Sequence, residues 1–347
     1  MKLFNCFFVI LFVLVPLLSN GQESIPVIKN LGELDSNKLG ISNYWLQMGT
    51  NTYNFPMLVP IIVFQGSSSG PTLGLTAAIH GNELNGIAII HRLVESINTK
   101  ILKGRIIAIP CINTVSVQED ERLFIDEEDL NRNFPGKKNG NRSAQYVYKI
   151  NERVLPFFDI QIDFHTASFG RVNTMYSRAD LTNDTLRILA KLQQPDIILN
   201  SKEASVGSAS SRTMRAESTL KGIPTITVEY GNPQVFQDDI IQRGFKGVLN
   251  TLSWLNMYGN IELQKLEDKA TYCKKSYWIY MEEGGFLEVT VALNQKLVKG
   301  ENIATVRNAF GEIIKEYVAP ENGIVIGKSS NPANMSGGRI IHLGIIE

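Results

Sequence analysis

Cysteine is nearly absent: the chain of 347 residues holds three, Cys6, Cys111 and Cys273. So few exclude a disulfide framework and a thiolate-rich zinc cluster. Cys111, inside the apolar run RIIAIPCI, reads as a small buried hydrophobe; pairing with Cys273 in an oxidising compartment is the alternative. Histidine is almost as scarce, with His80, His91, His165 and His342 making up the four. Charge of one sign is not in excess either, since 34 basic residues stand against 34 acidic ones. That balance gives no electrostatic case for nucleic acid or for an anionic membrane surface. Low-complexity tracts and long linkers are missing too.

One long apolar run is present, and it comes first. Lys2, an apolar stretch from Phe7 to Leu18, and then Ser19-Asn20-Gly21 have the layout of a secretory signal. The stretch is too short to span a bilayer comfortably. We therefore expect a signal peptide over residues 1–21, an exported chain that is periplasmic or secreted, and no stable membrane insertion after cleavage. The alternative is an uncleaved anchor. Cys6 lies ahead of the apolar stretch, so it is not a lipid-bearing cysteine at a cleavage site.

From Thr72 to about Tyr258, strand-like runs alternate with helical patterns. TLGLTAAI, RIIAIPCI, DIQIDF, PDIILN and PTITVEY read as strands. GIAIIHRLVESI, the stretch from Ser143 to Val154, SSRTMRAESTL and DDIIQRGFKGVLNTLSWL read as helices. The alternation predicts an α/β fold, a mixed and largely parallel sheet flanked by helices. In such sheets ligands sit beyond the carboxyl ends of the strands. After about Lys269, short β-rich runs punctuated by glycine and asparagine predict a small all-β, barrel-like module. The expected domains are 22–265 and 266–347.

The segment PTLGLTAAIHGNELNG ends an apolar strand on His80 and places Glu83 three residues later. A catalytic zinc site keeps three protein ligands and one open position. His91 falls within a helical repeat, and His342 has no acidic or histidine neighbour in sequence. His165, in DIQIDFHTAS, ends a strand and opens a small-residue loop as His80 does, so position and elimination make it the third ligand. A set of structural histidines is the plainer alternative. Glu229 ends PTITVEYG, and a carboxylate there is costly unless it is paired or faces a cleft. It reads either as an ion-pair partner of a residue such as Arg215 or as a general base for the attacking water. In DLNRNFPG, Asn131 and Arg132 suit a substrate carboxylate, the planar guanidinium matching it in shape; a capping loop with a surface arginine is the alternative.

HGNE, DLNRNFPG, DFHT and PTITVEYG, in that order, resemble the succinylglutamate desuccinylase/aspartoacylase family, of the zinc carboxypeptidase-like fold. The resemblance covers most of the chain, its β-rich tail included. It implies one zinc ion per chain held by His80, Glu83 and His165, with Glu229 activating water. It further implies that Asn131 and Arg132 hold the substrate carboxylate and that Asp129 orients His80. Arg122, in ERLF, would polarise the scissile carbonyl; here IDEED replaces the family's usual turn. The implied activity is a deacylase cleaving the amide of a small N-acylated amino acid. An exported zinc carboxypeptidase and a non-catalytic binding protein remain alternatives, and a homo-oligomer stays an open option. The tail also resembles lipoyl-type modules, but Lys299 lies in an ordinary barrel turn and no attached cofactor is expected.

Overall fold

The computed structural model describes residues 24–202, 212–259 and 267–347. The expected signal peptide and the domain boundary expected at residues 265 and 266 lie outside them. A short strand, Val27–Ile28 (β1), precedes an antiparallel hairpin of Gly40–Thr50 (β2) and Pro56–Gln65 (β3). Alternation then begins with strand Ser68–Ala77 (β4), helix Asn85–Ser96 (α1), strand Lys103–Ile109 (β5) and the short helix Thr114–Gln118 (α2). It continues through helix Arg142–Arg153 (α3), strands Ile160–His165 (β6), Arg171–Asn173 (β7) and Met175–Ala179 (β8), and helix Asp184–Leu192 (α4). Strand Ile197–Asn200 (β9), helix Met214–Leu220 (α5), strand Thr225–Tyr230 (β10) and helix Asp238–Trp254 (α6) complete it.

Local chemistry sets the helix limits. Asn141, Asn183 and Thr213 each accept a backbone N–H of the first turn of α3, α4 and α5, the bond that ends a helix cleanly. In α1 the apolar residues Ile89, Ile90 and Leu93 are buried while His91 is exposed. Strand β5 shows why the sheet is covered on both sides. Ile106 and Ala108 join one core with α1, α4 and α6, while Ile107 and Ile109 join a second core with α3 and the β2–β3 hairpin. Successive strand side chains point to opposite faces, so an unbroken apolar strand needs two covers.

The sheet is parallel at its centre, through β5, β4, β6 and β10, and antiparallel where β3 meets β5 and β8 meets β10. Because β4, β6 and β10 are neighbours running the same way, their carboxyl ends share one rim. Below that rim runs a buried polar ladder. Thr76 Oγ1 donates to Asp163 Oδ1 at 2.8 Å, Gln161 Nε2 donates to Thr76 Oγ1 at 3.0 Å, and Ser218 Oγ donates to Gln161 Oε1 at 2.7 Å.

The tail is β throughout its described residues. Thr271–Tyr280 (β11), Gly285–Val289 (β12), Lys296–Leu297 (β13), Asn302–Arg307 (β14) and Ile313–Val318 (β15) are followed by Gly323–Ser329 (β16), Ala333–Asn334 (β17) and Arg339–Ile346 (β18). Four of them, β15, β14, β12 and β17, form an antiparallel sheet, and the tail has its own apolar core around Ile303, Val306, Ile340 and Leu343. Strand β11 instead pairs in parallel with β9 and antiparallel with β18, so the main sheet runs on into the tail. Cys111 and Cys273 are buried and unpaired, and burial pushes both thiols up to about 12. No helix among the described residues is long and apolar enough to cross a membrane.

Gln161 is the hub of the ladder, so Gln161→Leu leaves the buried Ser218 hydroxyl without its acceptor, while Thr76 keeps its bond to Asp163. We expect a loss of about 1–3 kcal/mol of folding stability, the range for one unsatisfied buried group. Urea unfolding at constant m-value measures it, and a change indistinguishable from zero would remove the ladder's structural role.

Candidate metal centre

Three strand ends meet at the rim. The chain leaves β4 through Ala78, at a positive φ of 50°, and turns at His80. A Cβ on Gly81 would sit 2.1 Å from the Ser116 carbonyl carbon, so only glycine lets α2 lie backbone against backbone on this turn. His165 is the last residue of β6, and Glu229 of β10 lies directly opposite it in register.

His80, Glu83 and His165 are all buried, and one ligand atom from each lies within 4.8 Å of the others. His165 Nδ1 is 2.9 Å from Glu83 Oε2, and His80 Nδ1 is 2.9 Å from Glu83 Oε1 yet makes no hydrogen bond. The far nitrogens are both claimed. His80 Nε2 meets Asp129 Oδ1 at 3.0 Å, and His165 Nε2 meets Asp163 Oδ2 at 2.9 Å. A carboxylate only accepts, so Asp129 and Asp163 fix the proton on each Nε2. Both Nδ1 lone pairs then face the Glu83 carboxylate, itself an acceptor. Acceptors crowded this closely in a dry pocket repel unless a cation lies between them. The arrangement fits a divalent ion, with each histidine oriented by an outer carboxylate.

The electrostatics point the same way. Burial alone would raise the Glu83 carboxyl, but His80 and His165 outweigh it and hold it well below the usual range. Burial alone would lower His165, but Asp163 and Glu83 raise it well above its ordinary value. Each shift says that this point in the fold favours positive charge. Asp129 is likewise held below its usual value: burial opposes this, and His80, Arg122 and Arg132 prevail.

The other sequence candidates take distinct places. Arg122 spans the site, donating from Nη1 to Glu83 Oε1 at 2.8 Å and from Nη2 to Asp129 Oδ2 at 2.9 Å. Asn131 is buried; its Oδ1 accepts from Met214 N at 2.7 Å, bracing the start of α5, and its Nδ2 lies 3.5 Å from His165 Nε2. Arg132 is exposed, its Nη1 donating to the Asn131 carbonyl at 2.7 Å. Glu229 is half-buried beside Asn173 Nδ2 at 3.4 Å and Arg178 Nε at 3.9 Å. Arg215 donates from Nη1 to the Ser201 carbonyl at 3.1 Å and from Nη2 to the Ser201 hydroxyl at 3.0 Å.

Sequence reading passed over Asp163, although it precedes His165 by two residues and strand periodicity puts both on one face. Arg171 was also missed. It is half-buried, and no hydrogen bond or ion pair among the described residues holds its side chain. Burial lowers it, while Glu229, Arg122, Glu83 and Arg339 all act on it electrostatically. His342 packs near this cluster, stacked on Trp278 at 5.1 Å and hydrogen-bonded to Ser276. Burial, with Arg178 and Arg171, pushes it down to about 3, so it is neutral and structural.

Asp163→Asn preserves shape while removing the charge behind His165. We expect divalent-metal affinity to fall by about 10–100-fold, the range for an outer-sphere partner. A chelator competition assay checks this, and unaltered affinity would refute the orienting role.

Known proteins resemble this chain in sequence and in fold. The family model for the succinylglutamate desuccinylase/aspartoacylase catalytic domain matches residues 69–255, more than half of the chain. The N-alpha-acetyl-L-2,4-diaminobutyric acid deacetylase of Halomonas elongata is 24% identical over 302 residues, which cover 82% of this chain and 84% of that protein. The product-bound ectoine utilization protein EutE (DoeB) from Ruegeria pomeroyi shares the fold with a TM-score of 0.79 at 21% identity, over 90% of this chain and 97% of that one. A succinylglutamate desuccinylase from Silicibacter sp. TM1040 gives 0.79 at 21% identity, over 91% and 98%. The chain belongs to the succinylglutamate desuccinylase/aspartoacylase family.

Proposed function

We propose that the chain is a zinc-dependent amidohydrolase that cleaves a small N-acylated amino acid or a similar carboxylate-bearing amide, with one zinc ion per chain. The observation that carries this reading is the buried Glu83 carboxylate with one imidazole Nδ1 2.9 Å from each of its oxygens, and Glu229 in register beside His165. The Halomonas elongata relative, named for removing an N-acetyl group from an amino acid, supports it. A zinc ion held by His80, Glu83 and His165 would supply Lewis acidity to the scissile carbonyl and acidify water.

This chain's own residues do the rest. The Glu229 carboxylate takes a proton from the attacking water and passes it to the leaving amine nitrogen. The Arg122 guanidinium donates to the carbonyl oxygen as negative charge builds there. Asp129 and Asp163 keep the two imidazoles in one tautomer and orientation. The substrate carboxylate has three donors at hand: exposed Arg132, the Asn131 Nδ2, and the unheld guanidinium of Arg171. Export through a cleaved signal peptide belongs to the same proposal and rests on the composition of residues 1–21.

Glu229→Gln should lower kcat by about 10²–10⁴-fold, the usual range for a general base, at unchanged zinc content. Assays on N-acetyl and N-succinyl amino acids beside short peptides, with and without a chelator, separate the readings. Turnover of peptides alone would make the chain a carboxypeptidase, and no turnover in a fully zinc-loaded sample would leave a binding protein.

Arg171→Gln should raise KM by about tenfold and leave kcat nearly unchanged, as for a contact equal in ground and transition states. An unaltered KM would return the carboxylate to Arg132 and Asn131.

A further inference from the structure

A second concavity lies on the other side of α2 from the metal centre. The β2–β3 hairpin, α2 and α3 enclose an open groove of about 1130 Å³. None of His80, Glu83, His165, Arg122 and Glu229 lines it. Its charge is one-sided: Lys29, Arg142, Lys149 and Arg153 border it and no aspartate or glutamate does. In a chain with 34 basic and 34 acidic residues, such segregation is a local property of this surface.

The inner two cations are held without compensation. Lys149 Nζ donates to the Met48 carbonyl at 2.5 Å, and Arg153 Nη1 donates to the Gln47 carbonyl at 3.3 Å. Both acceptors are neutral, and among the described residues neither cation has a carboxylate partner. Burial and the nearby Arg153 charge lower the Lys149 ammonium. Two like charges, half-buried on adjacent turns of α3, raise the free energy of the empty groove, and an anion between them relieves it. Trp45, half-buried, supplies an apolar wall, and Gln47, Thr50 and Gln118 supply neutral polar groups beside it.

We propose that this groove is a binding site for a small multivalent oxyanion, a molecule carrying at least two carboxylate or phosphate groups. The site is built into the wall of the metal centre. Thr114, Val115 and Gln118 of α2 face the groove, while Ser116 of the same helix packs on Gly81 in the His80 turn. Phe124 lines the groove two residues after Arg122, which reaches Glu83. The groove and the His80 turn therefore share α2 as a common wall. This assignment stands whether or not the hydrolase reading does.

The test is calorimetric titration of the zinc-loaded full chain, at physiological ionic strength, with tricarballylate and with fructose 1,6-bisphosphate. We expect one binding event per chain, weakened about tenfold or more by Arg153→Gln and by Lys149→Met, the loss of one charge-assisted hydrogen bond. Arg122→Gln should leave it intact. Binding of the bisphosphate alone or of the tricarboxylate alone supports the site and identifies its oxyanion. If the inner variants fail to fold, Arg142→Gln on the exposed rim makes the same comparison. The proposal is overturned if neither probe binds, or if binding survives the groove variants and disappears in Arg122→Gln.

Discussion

Two imidazoles and a carboxylate share one dry pocket here because each imidazole has its outer nitrogen anchored to an acid. Asp129 and Asp163 settle which way His80 and His165 face, and the three inner ligand atoms are thereby made to confront one another. Everything around the pocket serves that confrontation. Thr76 and Gln161 tie Asp163 into the middle of the sheet, Asp129 accepts from Arg122 and from the Asn131 backbone, and Asn131 in turn holds the start of α5. Preorganisation of this kind is costly to fold and useful only if something positive occupies its centre.

Much of this was readable in the letters. His80, His165 and Glu229 stand out because each interrupts an apolar strand at its carboxyl end, where a buried polar side chain has no structural excuse. The helices α1, α3 and α6 begin and end within a residue or two of their sequence patterns, since apolar spacing is a local property, as is the Asn141 cap of α3. Arg171 and Arg178 were not readable. Their nearness to Glu229 depends on β8 running antiparallel to β10 and on β7 pairing with β16, and no local pattern specifies such distant pairings. Asp163 was readable and overlooked, its two-residue offset from His165 being a strand period. The hairpin of β2 and β3, outside the alternating region, has the apolar alternation of a half-buried pair and forms the floor of the groove.

The tail was legible as β-rich but its attachment was not. Glycine and asparagine punctuation announces short strands; it does not say which sheet they join. In the fold β11 takes the edge of β9, and its partner β18 carries Arg339 and His342 to the side of the sheet where Arg171 and Arg178 lie. The C-terminal strands thus contribute, through Arg339, to the electrostatic surroundings of Arg171.

That shared ladder between β9 and β11 has a bearing on how the chain tolerates being cut. Remove the last eighty or so residues and β9, a strand with Ile197, Ile198 and Leu199 all buried, becomes a bare margin of unsatisfied amides and carbonyls. Such a margin recruits strands from other molecules. A shortened version would be expected to clump before it could be assayed, which makes the two halves, so different in texture on the page, a single unit for anyone expressing the protein.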